Sequence, residues 1–168
     1  MQIRHGFFLL LGALWLVPSI ANAQIFQLSD RDRSGPRLGV AYIAGGSVTA
    51  EQLGESLSPV VSLFGWQIEH QFPTGEKNLP MPIIEVVGLI GGLEQGRSLP
   101  SLSAIIGLRG SSGWEVGVGP TVTGAGAQLA FAVGKTVPLG MLNVPMTLAV
   151  APGRRGASIS FTTGVTRQ

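Results

Sequence analysis

The chain predicts an all-β fold: an eight-stranded antiparallel up-and-down barrel with one short helix between strands one and two. Alternation is the first observation. Leu142, Val144, Met146, Leu148 and Val150 interleave with Asn143, Pro145, Thr147 and Ala149. Ala157, Ile159, Phe161, Thr163 and Val165 then interleave with Ser158, Ser160, Thr162 and Gly164. Period two gives a strand one apolar face. Composition is the second. Only 12% of the 168 residues are charged while 45% are hydrophobic, whereas about a quarter of a soluble domain is usually charged. A fold solvated by lipid on its outside has no need of that surface charge. The third observation is that the turns between the alternating runs keep the apolar sets on one face.

Each element follows in order. Arg4 and His5 precede an apolar run over 7–17, and Ala21-Asn22-Ala23 supplies a small-x-small cleavage site. Residues 1–23 therefore read as an export signal with the mature chain starting at Gln24. The run is shorter than the ~20 residues of a spanning helix. Residues 24–36 are polar, with Asp30, Arg31, Asp32 and Arg33, and read as a flexible arm or interior plug. Residues 37–168 form a single barrel domain, too short for two. Strand one is expected over 37–44. Thr49 with Gln52 makes a capping box and Val48 with Leu53 a hydrophobic staple, so a short helix should follow, stopped by Pro59. Strands are then expected over 60–72, 81–93, 101–109, 114–122, 127–136, 142–150 and 157–165. These lengths suit the ~9–11 residues with which a tilted strand crosses hydrocarbon.

Hairpin parity fixes the faces. Ser111-Ser112-Gly113 places Arg109 across from Glu115, with Gly113 where a three-residue loop wants a left-handed residue. Val122 should face Ala127, Lys135 should lie level with Leu142, and Val150 should face Ala157. A turn centred on Lys77 brings Glu69 level with Glu85, and one centred on Arg97 brings Glu85 level with Arg109. Pro120 and Pro145 fall inside strands, where they imply bulges.

The outward set holds Phe64, Ile68, Phe72, Val116, Val118, Leu129 and Val133. Its expected lipid-facing residues are Trp66, Trp114, Phe131, Met146 and Phe161, with Trp66, Trp114 and Tyr42 as candidates for interfacial aromatic belts. The opposite face holds Gln67 and four ionisable groups, Glu69, Glu85, Arg109 and Glu115. Buried charges survive only in paired networks, so these four read as a polar plug that fixes register, or alternatively as a proton or ion site. Gly117, Gly119, Ala130, Ala132, Gly134, Ser158, Ser160 and Gly164 line the same interior and leave room for a ligand, the arm or the helix.

Several chemistries are excluded. There is no cysteine, and beyond the export signal His70 is the single histidine, so neither a disulfide nor a metal centre is expected. His70 and its neighbour Glu69 point to opposite faces and make no dyad, and no catalytic residue or cofactor is assigned. No basic cluster exceeds Arg154-Arg155, which argues against a nucleic-acid partner.

The mature chain resembles the small eight-stranded outer-membrane barrel proteins of Gram-negative bacteria. The segments Gly113-Trp114-Glu115-Val116-Gly117-Val118-Gly119-Pro120 and Leu142-Asn143-Val144-Pro145-Met146-Thr147-Leu148-Ala149-Val150 also resemble an uncharacterised family of exported bacterial proteins. The resemblance implies an outer-membrane location with outer-membrane lipid as the partner, and a non-enzymatic structural, lipid-binding or small-solute role. A soluble periplasmic or secreted barrel binding an apolar ligand, and a lipid-modifying barrel enzyme built around His70 and a serine, are the alternatives. Oligomeric state is not encoded in any motif.

Overall fold

In the computed structural model, residues 33–44, 58–74, 79–153 and 156–167 are described. The expected export signal, most of the arm and the helix opening at Thr49 lie outside them. The strands are β1 (Gly35–Ile43), β2 (Val60–Gln71), β3 (Met81–Gly91), β4 (Leu99–Arg109), β5 (Trp114–Thr123), β6 (Gly126–Leu139), β7 (Leu142–Ala151), β8 (Ser158–Gly164) and a two-residue β9 (Thr166–Arg167). Each of β1 to β8 pairs antiparallel with its sequence neighbours, and β1 pairs with β8, so the sheet closes on itself without a free edge. Closure satisfies every strand edge that an open sheet would leave exposed. β1 begins at Gly35, so Gly35 and Pro36, expected in the arm, belong to the barrel and pair with Gln67 and Trp66. We call the end that holds Gly35 and Arg167 the terminal end and the opposite one the distal end.

Both prolines act differently from the expected bulges. On either side of Pro120 the β4–β5 ladder keeps one register, Ser103 opposite Thr121 and Ile106 opposite Val118. The missing N–H interrupts pairing without inserting a residue. Pro145 does the same to the other ladder of β7. β8 and β9 pair with β7 in a single register, and continuing it places Gly164 opposite Pro145. They are one strand broken where the proline offers no donor.

Three expected registers are corrected. Glu85 stands opposite Ile105, while Arg109 stands opposite Met81. The reason is the tight reversal after β3: a 3₁₀ turn at Leu93–Gln95 is bracketed by Gly92 and Gly96 in left-handed conformation (φ 77° and 67°), which turns the chain two residues earlier than a loop centred on Arg97. β6 runs on to Leu139 and reverses through Gly140-Met141, so Lys135 faces Met146 instead of Leu142. Val150 faces Ile159 instead of Ala157. Every shift is an even number of residues. A strand slipped by two keeps its faces, whereas a slip of one exchanges them, so the inside and outside assignments survive all three corrections.

The expected pairs Glu69 with Glu85, Arg109 with Glu115 and Val122 with Ala127 are found as read. Gly113 takes φ 83° in the Arg109–Glu115 hairpin, and its carbonyl accepts the Thr136 N–H at 2.9 Å, tying that turn to β6.

The barrel is inverted relative to a soluble core. Outward positions on β1 to β8 are predominantly apolar and exposed, among them Leu38, Phe64, Ile106, Val116, Leu129 and Leu148. Among the described residues, no aspartate or glutamate occupies an outward strand position; His70, Lys135 and Arg167 do, all close to the terminal end. Inside, among the described residues, twelve buried ones are polar or charged and only six are hydrophobic.

Candidate functional site

Four ionisable residues of the inner face converge near the terminal end. Glu69 projects from β2, Glu85 from β3, Arg109 from the last position of β4 and Glu115 from β5, all four at most 6% exposed. Arg109 is the hub. Its Nη1 and Nη2 donate to the two oxygens of Glu69, the second at 2.8 Å, a bidentate pairing that only a guanidinium fork provides. Its Nε donates to Glu115 Oε2 at 3.0 Å, and Nη2 reaches the same oxygen. Glu85 is held more loosely, with Oε1 3.8 Å from Arg109 Nη2 and no hydrogen-bond partner. Although Glu85 is not level with Arg109, the length of the arginine side chain spans the offset.

Neutral donors complete the tier. Gln71 Nε2 donates to Glu69 Oε1 at 2.7 Å and Gln67 Nε2 to Glu69 Oε2 at 3.3 Å. Thr147 Oγ1 lies 3.4 Å from Glu115 Oε1. Gly134 stands opposite Glu115, and a Cβ there would collide with the Glu115 carboxylate. The small residue is what lets a charged side chain lie flat inside a narrow barrel.

Sequence reasoning missed Arg37, the least exposed charged group together with Glu69, at 1% each. Its Nε donates to Gln67 Oε1 at 2.7 Å, and Gly164 leaves space for its head, since a Cβ there would lie 2.7 Å from Nη1. Parity alone could have found it: Arg37 shares a face with Gly39 and Ala41, opposite the outward Leu38, Val40 and Tyr42. Neither Nη of Arg37 has a hydrogen-bond partner. Three carboxylates thus share the tier with two guanidinium groups. The carboxyl oxygens of Glu69, Glu85 and Glu115 approach within 4.8 Å of one another, a spacing a cation could bridge. Arg109 already stands among them, however, and supplies the positive charge that a metal would.

The expected outward residues all lie on the outer surface: Trp66, Trp114 and Phe131 are about half exposed, Met146 and Phe161 somewhat less. Trp114 opens β5 at the terminal end, with Lys135 Nζ 4.9 Å above its ring, and Tyr42 lies near the distal end of β1. Trp66 sits halfway along β2, away from either end. His70 also points outward, its ring edge-on to Phe72 at 4.9 Å between centroids, with Nε2 unpartnered. Among the described residues no serine hydroxyl pairs with it.

Ile83 and Ile105 are buried in the interior alongside the ionic tier. Gly117 makes room for Ile105, since a Cβ there would meet its Cγ2 at 2.5 Å. Ile105 also packs with Ala130 and Ala151. Beyond that packing lies a cavity of about 510 Å³, extending to rim residues of the distal turns, including Ala44, Arg97, Gly124 and Ala157. The distal 3₁₀ turn is latched to the start of β2. Ser62 N–H donates to Glu94 Oε1 at 3.1 Å, its hydroxyl donates to Oε2, and Gln95 Nε2 donates to Val60 O at 3.0 Å. The Ser62 hydroxyl, aided by backbone N–H groups, holds the Glu94 carboxyl well below the usual range, at about 2.

The fold and interior define a closed eight-stranded barrel with a charged, side-chain-filled terminal half and a hollow distal half. No family model, curated protein or solved structure matches the chain.

Proposed function

We propose that the chain is a non-enzymatic β-barrel protein of a Gram-negative outer membrane. One observation supports this reading above the rest: the polarity of the barrel is inverted, with exposed apolar side chains around its whole outer wall and buried charge within. In water such a wall far exceeds the few hundred Å² of contiguous apolar surface that soluble monomers tolerate. In a bilayer it is the expected lipid-facing band, and a closed ladder is the only β-structure that leaves no backbone group unsatisfied there. The export signal read in residues 1–23 supplies the route.

The ionic tier narrows the role. Side chains from four strands meet across the terminal half through Arg109, so the interior is a plug and not an aqueous channel. The role is therefore structural, or one of holding a ligand, instead of passive conduction. Cell fractionation with heat-modifiable gel migration tests the placement. The folded protein should co-sediment with outer membranes, need detergent for extraction, and migrate faster before boiling than after. A folded monomer recovered in plain buffer would refute it.

A further inference from the structure

Charge on the outer wall is confined to one end. Among the described residues no outward strand position carries a carboxylate, and the outward cations His70, Lys135 and Arg167 stand close to the terminal end. Lys135 has the most defined surroundings. It lies across the β5–β6 ladder from Trp114, the first residue of β5, with its ammonium 4.9 Å above the indole ring. A cation–π contact uses the charge and leaves the ammonium N–H donors without an acceptor. The indole N–H of Trp114 is a further donor beside them, and neither side chain meets a carboxylate among the described residues. Arg167, exposed on the other side of β7 from Lys135, adds positive potential to the same wall. From this pair of donors the ladder continues distally as an apolar stripe. Val116 faces Val133, Val118 faces Phe131 and Val122 faces Ala127, all outward and exposed. From Trp114 to Val122 the stripe extends roughly 27 Å along the strand. Even tilted by about 40° it covers the roughly 15 Å of one hydrocarbon leaflet.

A cation with free donors at the head of an apolar stripe matches a lipid whose phosphate carries net negative charge. A zwitterionic head brings its own cation, and no described outward carboxylate would receive it. We propose that the outer wall at Trp114 and Lys135 binds an anionic phospholipid of the phosphatidylglycerol type. Its phosphate accepts from the Lys135 ammonium and the Trp114 N–H, and an acyl chain lies along the β5–β6 stripe. This deepens the reading above and rests on it for the bilayer surroundings of the barrel.

The test uses the full mature chain folded into vesicles of phosphatidylcholine with a minor fraction of phosphatidylglycerol, each lipid brominated on its acyl chains in turn. Trp66→Phe leaves Trp114 as the fluorescent reporter of the site. Trp114→Phe leaves Trp66, on β2 across the barrel, as the reporter of ordinary surrounding lipid. At equal mole fraction, brominated phosphatidylglycerol should quench Trp114 at least about fivefold more effectively than brominated phosphatidylcholine. Trp66 should show no such preference. Lys135→Gln should remove most of the preference, Lys135→Arg should keep it, and Arg167→Gln should reduce it less. Raising salt to about 1 M, where screening acts within about 3 Å, should also weaken it, which keeps the test decisive if a Lys135 variant fails to fold. Equal quenching of Trp114 by both lipids overturns the proposal and leaves the membrane reading standing. So does a preference that survives both Lys135→Gln and high salt, or an equal preference at Trp66. Quenching of neither tryptophan by either lipid refutes the membrane reading, and the proposal with it.

Discussion

Replacing Arg109 by methionine removes the hub of the ionic tier while keeping most of its volume. The substitution deletes the bidentate contact to Glu69, the contacts to Glu115 and the longer pairing to Glu85. Taken singly, hydrogen bonds to charged groups contribute about 1.5–3 kcal/mol each, but their sum overstates the loss because the stranded carboxylates relax. Breaking a buried pair from one side costs about 3–5 kcal/mol, and that is the expected destabilisation. The three carboxylates suffer unequally. Glu69 keeps Gln67 and Gln71 as donors, whereas Glu115 keeps only Thr147. Glu115→Gln should therefore rescue Arg109→Met, with a coupling of about 1–3 kcal/mol between the two sites. The assay is reversible urea unfolding in lipid vesicles followed by the fluorescence of Trp66 and Trp114. An Arg109→Met cost below about 1 kcal/mol, the value of an exposed pair, would refute the buried tier. So would single effects that add within about 0.5 kcal/mol.

Four further outcomes follow from the same geometry. Glu85→Gln should change stability by less than about 1 kcal/mol, because its ion pair with Arg109 is long, at 3.8 Å, and removing a poorly compensated buried charge relieves its desolvation; the same unfolding assay reads it. Gly134→Ala should cost about 1–3 kcal/mol by overpacking, and much less in a Glu115→Ala background where the colliding carboxylate is gone. Met146→Arg, halfway along the outer face of β7, should cost about 2–4 kcal/mol in a bilayer. At the distal turn, the lowered carboxyl of Glu94 stabilises the folded latch fully above the unfolded value near pH 4.3 and ceases to do so as pH falls through about 2. Ser62→Ala should move that titration upward, as carbon NMR of the Glu94 carboxyl would report; an unmoved titration would contradict the latch.

The faces of the barrel were legible in the sequence because period two is read within one strand and confirmed by the next. Arg109 opposite Glu115 and Glu69 opposite Glu85 followed from loop parity and turn residues alone. Registers failed where a turn had more than one plausible centre. The Gly92 and Gly96 pair that sets the β3–β4 reversal reads equally well as part of a longer loop, and the Pro138-Leu139-Gly140 stretch hides the continuation of β6. Arg37 was placed at the start of strand one, but its inward face was not followed to a partner. Its partner Gln67 comes from the adjacent strand, so only the pairing of β1 with β2 reveals the contact. The cavity was foreshadowed by the small inward residues of β6 to β8, but the packing of Ile105 over Gly117 of the neighbouring strand is a cross-strand contact that no single-strand pattern encodes.

The central claim is the inversion of the barrel, and a nitroxide scan along β7 in reconstituted vesicles tests it most directly. Labels at Val144, Met146, Leu148 and Val150 should be accessible to oxygen dissolved in the bilayer and shielded from a water-soluble nickel chelate, while labels at Thr147 and Ala149 should be shielded from oxygen. Labels at Met146 and Leu148 that meet the nickel chelate and not oxygen would place that wall in water and contradict the account.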